Sequence, residues 1–120
     1  MELTVNESLQ RGIAAHKAGR LRDAEKFYQG ILQTQPDHPD ANHNLGLLAA
    51  SAGKSDAALL FFKKALSADA RTEQFWLSYI GCLVTEGYYV NASLSIADSR
   101  QHGVSDAKIE VLEKKLKSVA

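Results

Sequence analysis

The chain has 120 residues, 45% of them hydrophobic, and its fourteen basic residues balance fourteen acidic ones. That length and apolar content suit one domain with its own core. A net charge of zero excludes the broad electrostatic grip on nucleic acid or anionic membrane that a clustered excess of Lys and Arg provides, so neither is expected as a partner.

The elements are predicted as follows, from the N-terminus. Thr4 and Glu7 form a Thr-x-x-Glu capping box, in which each side chain satisfies a backbone donor at a helix start. Leu9, Gly12, Ile13 and His16 continue that helix, and Gly19 ends it because the turn calls for a left-handed backbone. A second helix over about 21–34 is read from the stripe Leu21, Ala24, Phe27, Tyr28, Ile31 and Leu32, with Pro36 stopping it. Pro39 suits the first turn of a third helix, whose inward face is Ala41, Leu45, Leu48 and Ala49. Gly53 marks the next turn, and Ala58, Phe61, Phe62, Ala65 and Leu66 line the helix after it.

Thr72 is the expected N-cap of a fifth helix packed through Phe75, Trp76, Tyr79, Ile80 and Leu83, with Gly87 as its turn. A sixth helix holds Ala92, Ile96 and Ala97 and ends at Gly103. Ser105 and Asp106 open a seventh. There Ile109, Leu112, Leu116 and Val119 form one apolar stripe, while Lys108, Glu110, Lys114, Lys115 and Lys117 mostly face elsewhere. One apolar stripe and one solvated face describe a lid that shields the end of an array. Seven helices and no strand are predicted.

The same phrase recurs at a step of 34 residues. Gly12, Gly46 and Ile80 form one row, Gly19, Gly53 and Gly87 a second, Ala24, Ala58 and Ala92 a third, and Tyr28, Phe62 and Ile96 a fourth. A period of this length marks a stacked helical array. Small residues stand above small and bulky above bulky, so the glycine and alanine rows let the paired helices approach and the aromatics fill the space those small residues leave.

These residues resemble the tetratricopeptide repeat, whose pattern runs Trp-x-x-Leu-Gly-x-x-Tyr, then Ala-x-x-x-Phe, then Pro. The second copy shows Leu45-Gly46 and then Ala58-x-x-x-Phe62. The first shows Gly12, Ala24-x-x-x-Tyr28 and Pro36. The third supplies Trp76, with Tyr79 in the leucine position, Ile80 in place of glycine, and Ser99 where a small apolar residue is usual. The resemblance covers about residues 5–118. It implies an all-α, right-handed superhelical array of three repeats (5–38, 39–72 and 73–104) and a capping helix (105–118). The phrase Glu73-Gln74-Phe75-Trp76-Leu77-Ser78-Tyr79-Ile80, with the final Lys/Glu/Leu helix, resembles the N-terminal repeat segments of larger bacterial proteins. In those a sulfotransferase, glycosyltransferase or methyltransferase domain often follows.

Catalytic chemistry needs convergent titratable groups, and the sequence offers none, so no enzyme, cofactor or metal is expected. His38 and His43 are not spaced for one helical face, as a metal pair would require, and His16 and His102 lack a partner. All four histidines read as surface or helix-end polar residues. Cys82 lies between Gly81 and Leu83 on an apolar helix and reads as a buried structural thiol. Gly53-Lys54-Ser55 resembles the tail of a phosphate-binding loop, but no strand leads into it, so it reads as a turn between helices. Trp76 is expected to stack with Tyr79 in a seam.

The resemblance also implies a concave groove lined by the first helix of each repeat, which takes an extended or helical segment of another protein. Carried over by position, Asn6, Leu9, Gln10, Ile13 and Lys17 come from the first repeat. Asp40, His43, Asn44, Leu47 and Ser51 come from the second, and Gln74, Leu77, Ser78, Gly81 and Thr85 from the third. Their spacings of three and four share a helical face. Gln10, Asn44 and Ser78 form a polar ladder at the 34-residue step, and Asn44 resembles the asparagine lining the groove of O-linked N-acetylglucosamine transferases. Leu9, Ile13, Leu47 and Leu77 run beside it as exposed apolar positions. The cationic clamp by which some relatives hold chaperone C-termini is missing. The matching positions are Leu9, Ile13, Asn44, Gln74 and Ser78, of which only the asparagine agrees.

The expected function is therefore binding of a peptide or protein segment, as a free-standing module or as the recruiting end of a larger bacterial protein. The alternative is a self-assembling scaffold unit forming weak homo-oligomers. The N-terminus lacks a basic segment followed by an apolar run, so no secretory signal is expected. No stretch reaches the roughly 18 apolar residues of a membrane span. The single cysteine suits a reducing compartment. A cytoplasmic location follows as the expectation.

Overall fold

A computed structural model describes residues 2–119. Among them are seven α-helices and no strand: α1 Val5–Lys17, α2 Leu21–Thr34, α3 Pro39–Ser51, α4 Ser55–Ala68, α5 Glu73–Thr85, α6 Tyr89–Gln101 and α7 Asp106–Val119. Each helix packs against the next, and the molecule measures 50 × 27 × 21 Å. The predicted second helix has the observed boundaries.

Local chemistry sets the helix ends. The Thr4–Glu7 box is formed in both directions, with Glu7 N–H donating to Thr4 Oγ1 at 3.0 Å and Thr4 N–H donating to Glu7 Oε1 at 3.1 Å. Those bonds to the ionised carboxylate hold the Glu7 pKa below its usual value. Four helices end on one device. Gly19, Gly53, Gly87 and Gly103 have φ of 78°, 76°, 83° and 85°, and the amides of each glycine and its successor turn back to carbonyls of the last turn, as in Gly53→Ala50 and Lys54→Ala49. A side chain at that φ clashes with its own backbone, which is why glycine recurs there. Thr72 is the N-cap of α5 but makes no capping bond; its hydroxyl instead donates to Asp69 Oδ2.

The four sequence rows are the seam. Ala24, Ala58 and Ala92 are each 0% exposed, and Tyr28, Phe62 and Ile96 are buried beside them. A Cβ placed on Gly12 would lie 2.5, 2.9 and 3.0 Å from three ring atoms of Tyr28, and one on Gly46 would lie 2.6 Å from Phe62 Cδ1. The glycine is therefore the space the aromatic ring occupies. In the third copy both members change together: Ile80 and Ile96 are buried in one apolar cluster. A larger residue on the first helix is matched by a smaller one on the second, which conserves volume in a close-packed interior.

A second device joins successive helix pairs. Asn42 Nδ2 donates to Pro36 O at 3.1 Å and to His38 O at 3.0 Å. One repeat step later, Trp76 Nε1 donates to Ala70 O at 2.7 Å. Each side chain reaches six residues back and latches the loop through which its helix is entered. Trp76 therefore does not stack with Tyr79 as expected. Its indole faces the His102 ring at a centroid distance of 5.3 Å, leaving the N–H free for the loop carbonyl. Ser99, the departure from the apolar pattern, is fully buried and satisfies itself by donating to Ile96 O at 2.7 Å.

The last helix is tied down by charge as well as by Ile109 and Leu116. Glu73 accepts from Ser105 N–H at 2.9 Å and from Lys108 Nζ at 2.8 Å. Arg100 pairs with Glu113 and, at 3.5 Å, with Asp106. The Lys108 ammonium and the Ser105 amide hold the Glu73 carboxyl below the usual range, and the Arg100 guanidinium does the same for Glu113.

Candidate functional site

The carried-over positions fall on α1, α3 and α5, the first helix of each pair. Helical periodicity divides them by depth. Asn6, Gln10, Lys17, Asp40, Ser51, Gln74 and Thr85 are exposed, whereas Leu9, Ile13, Asn44, Leu47, Leu77, Ser78 and Gly81 are half-buried. An apolar side chain left half in water on successive helices is the usual substance of a binding surface.

His43 is the exception. It is only 6% exposed, with its ring between Phe62 of α4 and Phe75 of α5 at centroid distances of 5.6 and 4.8 Å. Its Nε2 lies 2.8 Å from Ser78 Oγ. It is therefore a seam residue joining α3, α4 and α5, and both the groove assignment and the surface reading of this histidine are corrected. The physical reason is register. Position 43 follows the inward residues Ala41 and Asn42, and the ring turns toward the aromatic pair. Burial pushes its pKa down, opposed by the neighbouring Asn44 amide and the Asp40 carboxylate. The ring is thus neutral near neutral pH, with one nitrogen committed to Ser78.

That bond also narrows the role of Ser78. Its hydroxyl meets His43 and, at 3.4 Å, the Gln74 amide. Within the expected polar ladder, Ser78 is the rung already spoken for, while Gln10 is exposed and Asn44 half-buried. Beside Asn44 ends the fully buried Tyr28, whose hydroxyl makes no hydrogen bond of normal geometry. Burial raises the Tyr28 pKa and the Asn44 amide works against that rise. The half-buried amide consequently has the Tyr28 hydroxyl and the His43 ring as polar neighbours.

His38 caps α3, its Nδ1 accepting from Ala41 N–H at 3.1 Å. His102 combines its Trp76 contact with a 2.9 Å bond between Nδ1 and Asp98 O. Cys82 is a half-buried free thiol whose pKa is raised by burial and by the Glu86 carboxylate, conditions that suppress thiolate reactivity. No helix among the described residues is long and apolar enough to cross a membrane.

Comparison with known proteins agrees with this architecture. Over 99 residues the chain is 29% identical to the cellulose synthase operon protein C of Komagataeibacter xylinus, a match covering 82% of this chain and 7% of that protein. The chain spans about 7% of the length of the curated relatives it matches. Among solved structures, it is similar to the TPR2B domain of yeast Sti1 in complex with pHsp70. The TM-score is 0.86 at 16% identity, over 97% of this chain and 98% of that one. It is likewise similar to the Yersinia enterocolitica type III secretion chaperone SycD bound to a peptide of the translocator YopD. There the TM-score is 0.78 at 16% identity, over 98% and 90% of the two chains. At such identities the likeness is one of fold. The tetratricopeptide repeat family profile matches residues 15–80. With its glycine–aromatic seams and seven-helix array, the chain belongs to the tetratricopeptide repeat family.

Proposed function

We propose that this protein binds an extended or helical segment of another protein across the faces of α1, α3 and α5, and that it serves as the recruiting part of a larger bacterial protein. The observation that carries the reading is the row of half-buried apolar side chains Leu9, Ile13, Leu47 and Leu77. The exposed or half-buried amides of Gln10, Asn44 and Gln74 stand beside it. Apolar contacts supply affinity and the amides supply register along a bound backbone. SycD in its YopD-peptide complex and the Sti1 domain in its pHsp70 complex share the fold and support the general mode. The recruiting role draws support from the small fraction of its relatives' length that the chain spans. Without a cationic cluster at Leu9, Ile13, Gln74 and Ser78, the segment recognised is a neutral one. With few charges to steer association, the expected affinity is micromolar or softer, roughly 8 kcal/mol or less.

A displayed peptide library selected on the wild-type protein tests this. Sequences enriched on wild type should be lost on the double variant Asn44→Ala/Leu47→Asp, whose melting should stay close to wild type because both side chains are only half-buried. Unchanged enrichment on a folded double variant would refute the assignment.

A further inference from the structure

Tyr28, Asn44, His43, Ser78 and Gln74 stand in file from α2 through α3 to α5. Tyr28 is fully buried and its hydroxyl makes no hydrogen bond of normal geometry. Asn44 is the polar side chain beside that hydroxyl and beside the His43 ring. His43 Nε2 lies 2.8 Å from Ser78 Oγ, and Gln74 Nε2 donates to the same oxygen at 3.4 Å. At the 34-residue step from Tyr28 stands Phe62, seated against Gly46 as Tyr28 is against Gly12. The second seam thus has the ring without the hydroxyl, and Ser78, one step from Asn44, takes its partner from His43 instead.

A neutral imidazole has one N–H and one lone pair, so hydrogen bonds can run along this file in either of two directions. In one, Ser78 donates to His43 Nε2, Nδ1–H donates to Asn44 Oδ1, and Asn44 Nδ2 donates to Tyr28 Oη. The Tyr28 hydrogen then has no acceptor, and an orphaned buried donor is costly. In the other, Tyr28 donates to Asn44 Oδ1, Asn44 Nδ2 donates to His43 Nδ1, and His43 Nε2–H donates to Ser78 Oγ. Every buried hydrogen of the file then has an acceptor. Ser78 Oγ is committed as an acceptor to His43 and Gln74 and keeps its own hydrogen for the groove, as Asn44 keeps its second N–H. Only a charged imidazole or a phenolate draws the amide the other way, which is how Asn44 opposes the shifts that burial imposes on both rings.

We propose that Tyr28, which no partner touches, is a positioning residue for the groove: acting through Asn44, its hydroxyl holds His43 with the hydrogen on Nε2, so that Asn44 and Ser78 both face the groove as donors. The segment bound there presents carbonyl oxygens, of its main chain or of Asn and Gln side chains, to those two rungs. The chemistry of the occupant rests on the faces of α1, α3 and α5 being the binding surface, whereas the tautomer belongs to the free protein.

Nitrogen resonances of the histidine rings in the isotope-labelled full chain report the tautomer, with those of His43 assigned by their loss in His43→Phe. Near neutral pH the wild-type ring should carry its hydrogen on Nε2. Tyr28→Phe gives the first seam the ring that Phe62 already provides in the second, and there the form with hydrogen on Nδ1 should become populated. Asn44→Ala, at a half-buried site, should release the tautomer in the same way. A peptide enriched on the wild-type protein should bind Tyr28→Phe and Ser78→Ala about three- to tenfold more weakly, and the double variant little worse than either, because both act through one hydrogen. A wild-type ring with its hydrogen on Nδ1, or a tautomer unmoved by both Tyr28→Phe and Asn44→Ala, would overturn the positioning role. Losses that simply add would overturn the donor role of Ser78. With the tautomer as expected, a selection that enriches no peptide would overturn the groove reading and the carbonyl preference with it, and leave the positioning of His43 standing.

Discussion

Replacing Gly46 and Gly30 by alanine in separate proteins tests the seam directly, because both glycines are helical but Gly46 is buried against a neighbour and Gly30 is exposed. Both lie inside helices with ordinary φ. Around Gly30 an added Cβ meets nothing within 4 Å, whereas at Gly46 it would stand 2.6 Å from Phe62 Cδ1 and 3.1 Å from Cζ. Alanine in a helix interior stabilises by about 0.5–1 kcal/mol relative to glycine. Gly30→Ala should show that gain in full. At Gly46 the same gain meets an overpacking cost of about 1–3 kcal/mol, since Phe62 is buried and cannot retreat. The expected net loss is about 0.5–2 kcal/mol, and the two variants should stand about 1–3 kcal/mol apart, the overpacking cost itself, in urea titrations followed by circular dichroism. Adding Phe62→Leu to Gly46→Ala should recover part of the loss, with a coupling energy of about 1 kcal/mol or more. Gly46→Ala at or above wild-type stability, or equal shifts at both sites, would show that the glycine row does not answer to packing.

Three further outcomes are expected. Because burial lowers the His43 pKa, the unfolded state binds this proton more readily than the folded one. Stability is therefore full above the ordinary histidine value of about 6.5 and falls as pH drops through it; His43→Phe should lose stability less steeply over that range in parallel pH-dependent melts. Asn42→Leu and Trp76→Phe each remove the donor of a loop latch and should cost about 1–3 kcal/mol in urea titration, with the loops at 35–38 and 69–72 exchanging amide hydrogens faster. Glu73→Ala releases Ser105 and Lys108 together. Amide exchange should then accelerate in α7 while α1 to α4 keep their protection, and added salt should reproduce part of the effect in wild type.

What the sequence discloses follows from which residues have a single physical explanation. Glycine at 19, 53, 87 and 103 and alanine at 24, 58 and 92 admit one reading each: a positive φ, or a place with no room. Both the turns and the seam could be placed from those letters alone. Histidine has no such single reading. His43 sits one residue beyond an inward face and one before the half-buried Asn44, so periodicity allowed either side, and only the Phe62–Phe75 pair decides for the interior. Trp76 was misassigned because sequence spacing offered Tyr79 as a neighbour but could not show the Ala70 carbonyl, or His102, which comes from a later helix. The surface positions were legible as a set through the 34-residue step. Nothing in that step reveals that Ser78 is committed to His43, since such commitments depend on a few tenths of a nanometre between helices.

The loop latches carry a consequence beyond stability. In a stack whose units touch mainly their neighbours, overall curvature is the sum of the rotations at each joint. Asn42 and Trp76 occupy the same place at successive joints, with an amide at one and an indole at the other, so each joint has its own wedge. Exchanging one wedge for the other would reset the pitch of the coil and the width of its inner face without altering any residue that meets a partner. Breadth of recognition in this architecture can therefore be tuned from behind, by the thickness of a hinge pin.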